Sequence, residues 1–361
     1  MPHFPGLSVP IAHAVVANAG FAGAPTAVAQ RGERIATLDF FRGIAILMVI
    51  CGHFLPQRLV FGNLATSFAT MGRGGVIVFF LLSGYLIFKS LQNCNIGAFL
   101  CRRFFKIFPA YWLNLLVLFI AGQLGFGLAI HSNATYLANF TMLSDLFRLP
   151  NVSNVYWTLL IEVKFYVFIA LYSHFLKNRF VSAAPVLFTL ANAAMFVLRG
   201  QASQLLTFFP VFFVGIQVFQ AEKSDWAGVS LLRLALTALL AGLNVAVFDG
   251  IYPLWSMAYI LGGAAAMAGL LQSGFSMALL AFFGKVSYSN YLYHTLVGYS
   301  AFEWIGRQQS LAGNLLAVAV VVVVSTWVAY LSYILVELPS VRFCKTHEAQ
   351  FLGQLSRFWK R

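Results

Sequence analysis

The chain has 361 residues, 60% of them hydrophobic and only 9% charged, whereas a soluble domain carries about a quarter charged. That balance excludes a soluble globular enzyme, and apolar runs of the roughly 20 residues that a spanning helix needs recur throughout, as in an all-α polytopic membrane protein. The net charge of +13 is explained by Lys and Arg gathered in cytoplasmic loops and tails, so no nucleic-acid partner is expected.

Residues 1–35 are rich in Ala, Gly and Pro. Ala27-Val28-Ala29 mimics a signal-peptidase site, but no basic stretch precedes it and Pro and Gly interrupt the apolar run. The sequence predicts a disordered cytoplasmic leader here. About ten transmembrane helices follow, near 38–56, 75–89, 107–128, 155–176, 180–198, 204–220, 231–248, 252–272, 285–303 and 313–336. They make one transmembrane bundle over 36–340, with a basic cytoplasmic tail over 341–361.

Charge then sets the orientation. With both termini in the cytoplasm, the inside segments hold Arg31, Arg34, Lys89, Arg102, Arg103, Lys106, Lys177, Arg179 and Lys223. The tail adds Arg342, Lys345, Arg357, Lys360 and Arg361, and the outside loops keep only Arg58, Arg73, Arg148, Arg199 and Arg307. That imbalance favours cytoplasmic termini and leaves Ala129–Asn154 as the one sizeable external loop. Cys51, Cys94, Cys101 and Cys344 have no zinc-type spacing and read as unpaired thiols; no metal is expected.

The first span, "LDFFRGIAILMVICGHF", carries an aspartate, an arginine and a histidine. Arg42 and His53 are eleven residues apart, which puts them within roughly 20° on a helix surface and about 16 Å apart along its axis. Asp39 shares that stripe. Read singly, Asp39 caps a first turn, Arg42 snorkels to lipid phosphate and His53 bonds a neighbouring helix. Read together, they mark function, because ionisable groups inside a membrane are costly.

Three later stretches behave alike. In "WTLLIEVKFY", Glu162 lies in an apolar span with Tyr166 four residues on along the same face and Lys164 on the other side. "KVSYSNYLYH" puts Ser287, Asn290, Tyr291 and His294 on one stripe, which suits helix–helix glue as well as a substrate site. "RRFFKIFPAYW" clusters Arg102, Arg103 and Lys106, either as a topogenic or lipid-phosphate signal or as a grip for a soluble polyanion.

These stretches, with "GGVIVFFLLSGYLI" and "SYILVELPSVRF", resemble in order the motifs of the acyltransferase-3 family of membrane O-acyltransferases, over roughly residues 36 to 343. The resemblance implies a ten-helix enzyme of the bacterial inner membrane. It would move an acyl group, usually acetyl, from cytoplasmic acyl-CoA to a hydroxyl of a glycan, glycolipid or similar acceptor. It implies catalytic roles for His53, Arg42 and Glu162, and acyl-CoA binding by Arg42, Arg102 and Arg103. Asp39, Trp157, Tyr166, Tyr291 and His294 are expected to bind substrate or support the site, with Asp39 or Glu162 orienting the histidine as a triad carboxylate does. Members often carry a fused extracytoplasmic domain; this chain stops about 20 residues after its last expected helix, so none is expected here. A secondary transporter would also bury ionisable residues, but the inverted repeats and paired broken helices of transporters are not evident.

Overall fold

Glycine decides how closely the inner helices meet. In the computed structural model, which describes residues 27–58, 62–125, 131–176, 181–306, 308 and 310–358, α1 (Ala27–Arg58) crosses α2 (Gly62–Leu91) at Gly52 and Gly72. A Cβ on Gly52 would overlap the Gly72 backbone. The chain continues through α3 (Ile96–Gln123), the short α4 (Asn133–Phe140), α5 (Tyr156–Leu176), α6 (Ala184–Arg199) and α7 (Gln204–Lys223). Then come α8 (Gly228–Phe248), α9 (Pro253–Ser273), the short α10 (Ala278–Lys285), α11 (Ser287–Ile305), α12 (Leu311–Ser332), a π-helical turn (Tyr333–Glu337) and α13 (Leu338–Phe358). The described residues contain no strand.

Eight described helices are long and apolar enough to cross a membrane, and the protein is an all-α polytopic membrane protein. The 16-residue α6 and α11 occupy the two remaining expected windows. Polar Ser287, Ser289, Asn290, His294 and Thr295 fill the buried side of α11, which lowers its hydropathy. Helices α12 to α13 run on without a break over Leu311–Gly353, 43 residues or about 65 Å, twice a hydrocarbon core, so the far part of α13 extends beyond it.

Helix α7 is apolar on nearly every side and buried, as the centre of a bundle requires. Around it Phe165 stacks on Phe212 at 4.2 Å between centroids and Phe80 leans on the same ring at 4.6 Å. Helices α2 and α7 meet through reciprocal glycines: a Cβ on Gly84 would overlap the Phe212 carbonyl, and one on Gly215 the Leu81 carbonyl. Backbone on both sides leaves no flexible atom to yield. Gly84→Ala is therefore expected to cost at least the roughly 1–3 kcal/mol of an overpacked core, read as a large fall in melting temperature in detergent or as failure to accumulate. Gly262→Ala, which meets nothing within 4 Å, should melt like the wild type.

Two sequence expectations are corrected. Helix α1 starts at Ala27, inside the leader expected to be disordered, because "AVAQRGERIA" is rich in strong helix formers; residues 1–26 lie outside the described residues. Arg58 and Arg73, expected in outside loops, lie within α1 and α2. Polar residues before the Gly74-Gly75 pair shortened the apolar window, but the helix ignores them.

Candidate active site

The stripe on α1 holds as geometry. Arg42 pairs with Asp39 at 3.7 Å, one helical turn away. His53 places Nδ1 2.8 Å from the Val49 carbonyl. A carbonyl only accepts, so in the neutral ring Nδ1 carries the proton and Nε2 the lone pair.

A second histidine stands beside it. The His294 ring, on α11, lies edge-on to His53 with centroids 5.1 Å apart. Its Nδ1 faces the Asn290 and Tyr291 carbonyls at 3.1 and 2.9 Å, which fixes the same tautomer. Its Nε2 is buried with no partner among the described residues. Close approach of α1 and α11 depends on Gly298, where a Cβ would overlap the Phe54 ring.

Toward the N-terminal half of α1 lies a narrow cavity of about 120 Å³. Arg42, Arg103 and Lys106 supply its cations and Glu162 its carboxylate, with Ser83, Thr158, Tyr166, Ser287, Tyr288 and Tyr291 along the walls. One Glu162 oxygen accepts from the Tyr166 hydroxyl at 2.6 Å and from Ser83. The Arg103 guanidinium lies 5.4 Å from the ring centres of both Phe99 and Tyr166. Lys106 pairs with Glu337 at the end of the π-helical turn, and the other Glu337 oxygen accepts from Ser289 at 2.9 Å. π-Helical turns often occur at functional sites.

A wider cavity of about 300 Å³ begins at His53 and continues past Gly72, Arg73, Asn154, Trp157, Ile251 and Tyr252. Val76 and Tyr291 line both cavities and form a common wall. The Tyr291 hydroxyl is tied to Thr158 at 2.5 Å.

Most of the expected site residues converge here. Arg42, Arg103, Glu162, Tyr166 and Tyr291 line the narrow cavity, His53 and Trp157 the wider one, with Asp39 behind Arg42 and His294 behind His53. Arg102 does not join them. It forks onto Glu348 of α13 at 2.6 and 2.9 Å, 47% exposed and outside both cavities. Neither carboxylate orients His53: Asp39 serves Arg42, Glu162 serves Ser83 and Tyr166, and the backbone carbonyl one turn earlier holds the imidazole. Lys164 pairs with Asp145, away from Glu162 as its spacing predicts. The four thiols are free, with the Cys101 and Cys344 sulfurs 3.3 Å apart where α13 packs on α3.

Sequence reasoning missed Ser83, Glu337, Asp249 and the burial of Arg73. The cost of charge within or beside apolar spans was the signal available for Glu337 and Asp249.

Among the described residues, no three His, Cys, Asp or Glu side chains gather as a metal site would require.

Comparison with known proteins gives one family model, described as "Acyltransferase domain", matching residues 35–334. The chain is similar to Nodulation protein 10 of Rhizobium leguminosarum bv. viciae, 29% identical over 113 residues, 26% of this chain and 31% of that protein. It is similar to the peptidoglycan O-acetyltransferase OatA of Listeria monocytogenes, 27% identical over 168 residues, 40% of this chain and 25% of that protein. A third relative is the acyltransferase MdmB of Streptomyces mycarofaciens, 35% identical over 104 residues, 27% of this chain and 26% of that protein. The match thus spans between a quarter and a third of the length of these relatives. No solved structure matches.

Proposed function

The chain belongs to the acyltransferase family matched over residues 35–334, and from that premise we propose that it moves an acyl group, acetyl by preference, from acyl-CoA to a hydroxyl of a glycan or glycolipid. Its place is the bacterial plasma membrane, with both termini in the cytoplasm. The observation that carries this reading is a pair of adjoining cavities, one cationic and one lined by His53, that share Val76 and Tyr291. The glycan acceptor draws support from the similarity to the peptidoglycan O-acetyltransferase OatA.

The roles follow from chemistry. Coenzyme A is a phosphate-rich head on a thin arm that ends in a thioester. Arg42, Arg103 and Lys106 hold the phosphates at the mouth of the narrow cavity by charge-assisted bonds. That cavity admits the arm and carries the thioester toward Tyr291. Nε2 of His53 takes the proton of the acceptor hydroxyl, whose oxygen forms the new ester bond as the carbon–sulfur bond breaks and coenzyme A leaves as the thiolate. Glu162, braced by Ser83 and Tyr166, sets the spacing of the cations it faces.

Cells with and without the intact gene, compared by mass spectrometry of their surface glycans and lipids, test the reaction. The expected result is one acyl mass gained on one class of molecule; unchanged profiles reject it. Reporter fusions test the orientation. Those after Gly200 should read as external and those after Lys345 as cytoplasmic, and an external carboxyl terminus overturns the arrangement.

A further inference from the structure

The wider cavity is lined by Arg73, one half of a charged pair that the reaction above does not use. Arg73 of α2 is joined to Asp249, the residue that closes α8, and their side chains are only 14% and 7% exposed. The guanidinium also lies 5.2 Å from the centre of the Phe208 ring. The pairing leaves capacity on both sides: Arg73 Nε and the second Asp249 oxygen are buried without a hydrogen-bond partner among the described residues. The glycine crossing of α1 and α2 sets the location, because the residues just after Gly52 and Gly72, His53 and Arg73, then line one cavity. Tyr252, held in the left-handed region at φ 51°, and Trp157 line it too. A bulky residue kept there marks strain that functional sites tend to hold.

We propose that Arg73, positioned by Asp249, is the acceptor-binding residue of this cavity, and that the acceptor is neutral and hydroxyl-rich, a sugar ring or polyol. The inference rests on the acyl-transfer reading above. The two charges cancel, so the pair offers no net attraction to a carboxylated or phosphorylated acceptor. Arg73 lines the cavity already neutralised by Asp249, so it offers N–H donors to hydroxyl oxygens without selecting for an anion. Trp157 and Tyr252 supply ring surface for the apolar face of a sugar.

The test uses the full chain and [14C]acetyl-CoA as the probe. Acetyl-CoA binding is measured by calorimetry in nanodiscs, and transfer as alkali-labile label in the glycan of permeabilised expressing cells. Arg73→Ala should lower transfer by roughly tenfold or more, the loss of one charged hydrogen bond, while acetyl-CoA binding stays within about twofold of wild type. Arg73→Lys should recover part of the loss. Ala69→Leu narrows the same cavity without touching the pair, and should also block transfer and spare donor binding, which keeps the test sharp if Arg73→Ala does not fold. After depolymerisation, the label should sit on neutral sugars by anion exchange. Unimpaired transfer in both variants, loss of acetyl-CoA binding in a well-folded variant, or label on acidic sugars alone overturns the assignment. Absence of both label and thiol release from the wild type overturns the acyl-transfer reading, and this inference with it.

Discussion

His53→Ala is expected to bind acyl-CoA at near wild-type strength and to transfer nothing measurable. The imidazole is not among the groups around the cationic cavity, so its loss removes no donor contact. It does remove the nitrogen that the Val49 carbonyl leaves free as a base beside the wider cavity. A positioned proton acceptor contributes about 10²–10⁴ in rate, enough to drop a slow membrane enzyme below detection. Calorimetry of purified variants in nanodiscs, with thiol release as the turnover signal, separates binding from chemistry. Continued transfer by His53→Ala, or loss of donor binding with it, would end this division of labour. His294→Ala should fall between the two, since that ring touches His53 rather than either cavity.

Arg42→Ala should fail in the opposite way. Losing one charged hydrogen-bonding contact weakens acyl-CoA by about 1.5–3 kcal/mol, roughly a ten- to hundredfold rise in dissociation constant. Arg42→Lys should recover only part of it, because an ammonium does not reproduce the planar fork. Arg103→Ala should resemble Arg42→Ala, as both line the narrow cavity, whereas Arg102→Ala should leave donor affinity within about twofold because its fork closes on Glu348. Equal losses at Arg102 and Arg103 would show that the phosphates lie along α13 instead of at the cavity mouth.

Much of this arrangement was legible because it is local. The helical period alone puts Arg42 and His53 on one face, sets Tyr166 against Glu162 and gathers Asn290, Tyr291 and His294. What was hidden depends on partners far apart in the chain. Nothing near Lys106 announces Glu337, and nothing near Arg73 announces Asp249; packing of distant helices makes both pairs. The orienting group of His53 was missed for another reason. A triad analogy looks for a carboxylate, while a helix supplies a carbonyl one turn back from every residue. The start of α1 and the polar end of α2 were misplaced because hydropathy reports what lipid tolerates, not where a helix ends.

The wall of Val76 and Tyr291 also has a bearing on the membrane as a whole. A bilayer that stores a potential loses it through any continuous thread of water, and each charge that crosses 100 mV gives up about 2.3 kcal/mol. Two adjoining cavities, one of them lined by His53, are where such a thread would form if their shared residues were removed. The hydrogen bond between the Tyr291 and Thr158 hydroxyls fixes one of the two side chains that both cavities share. In the acyl-transfer reading proposed above, that tyrosine then also serves as insulation for the membrane potential.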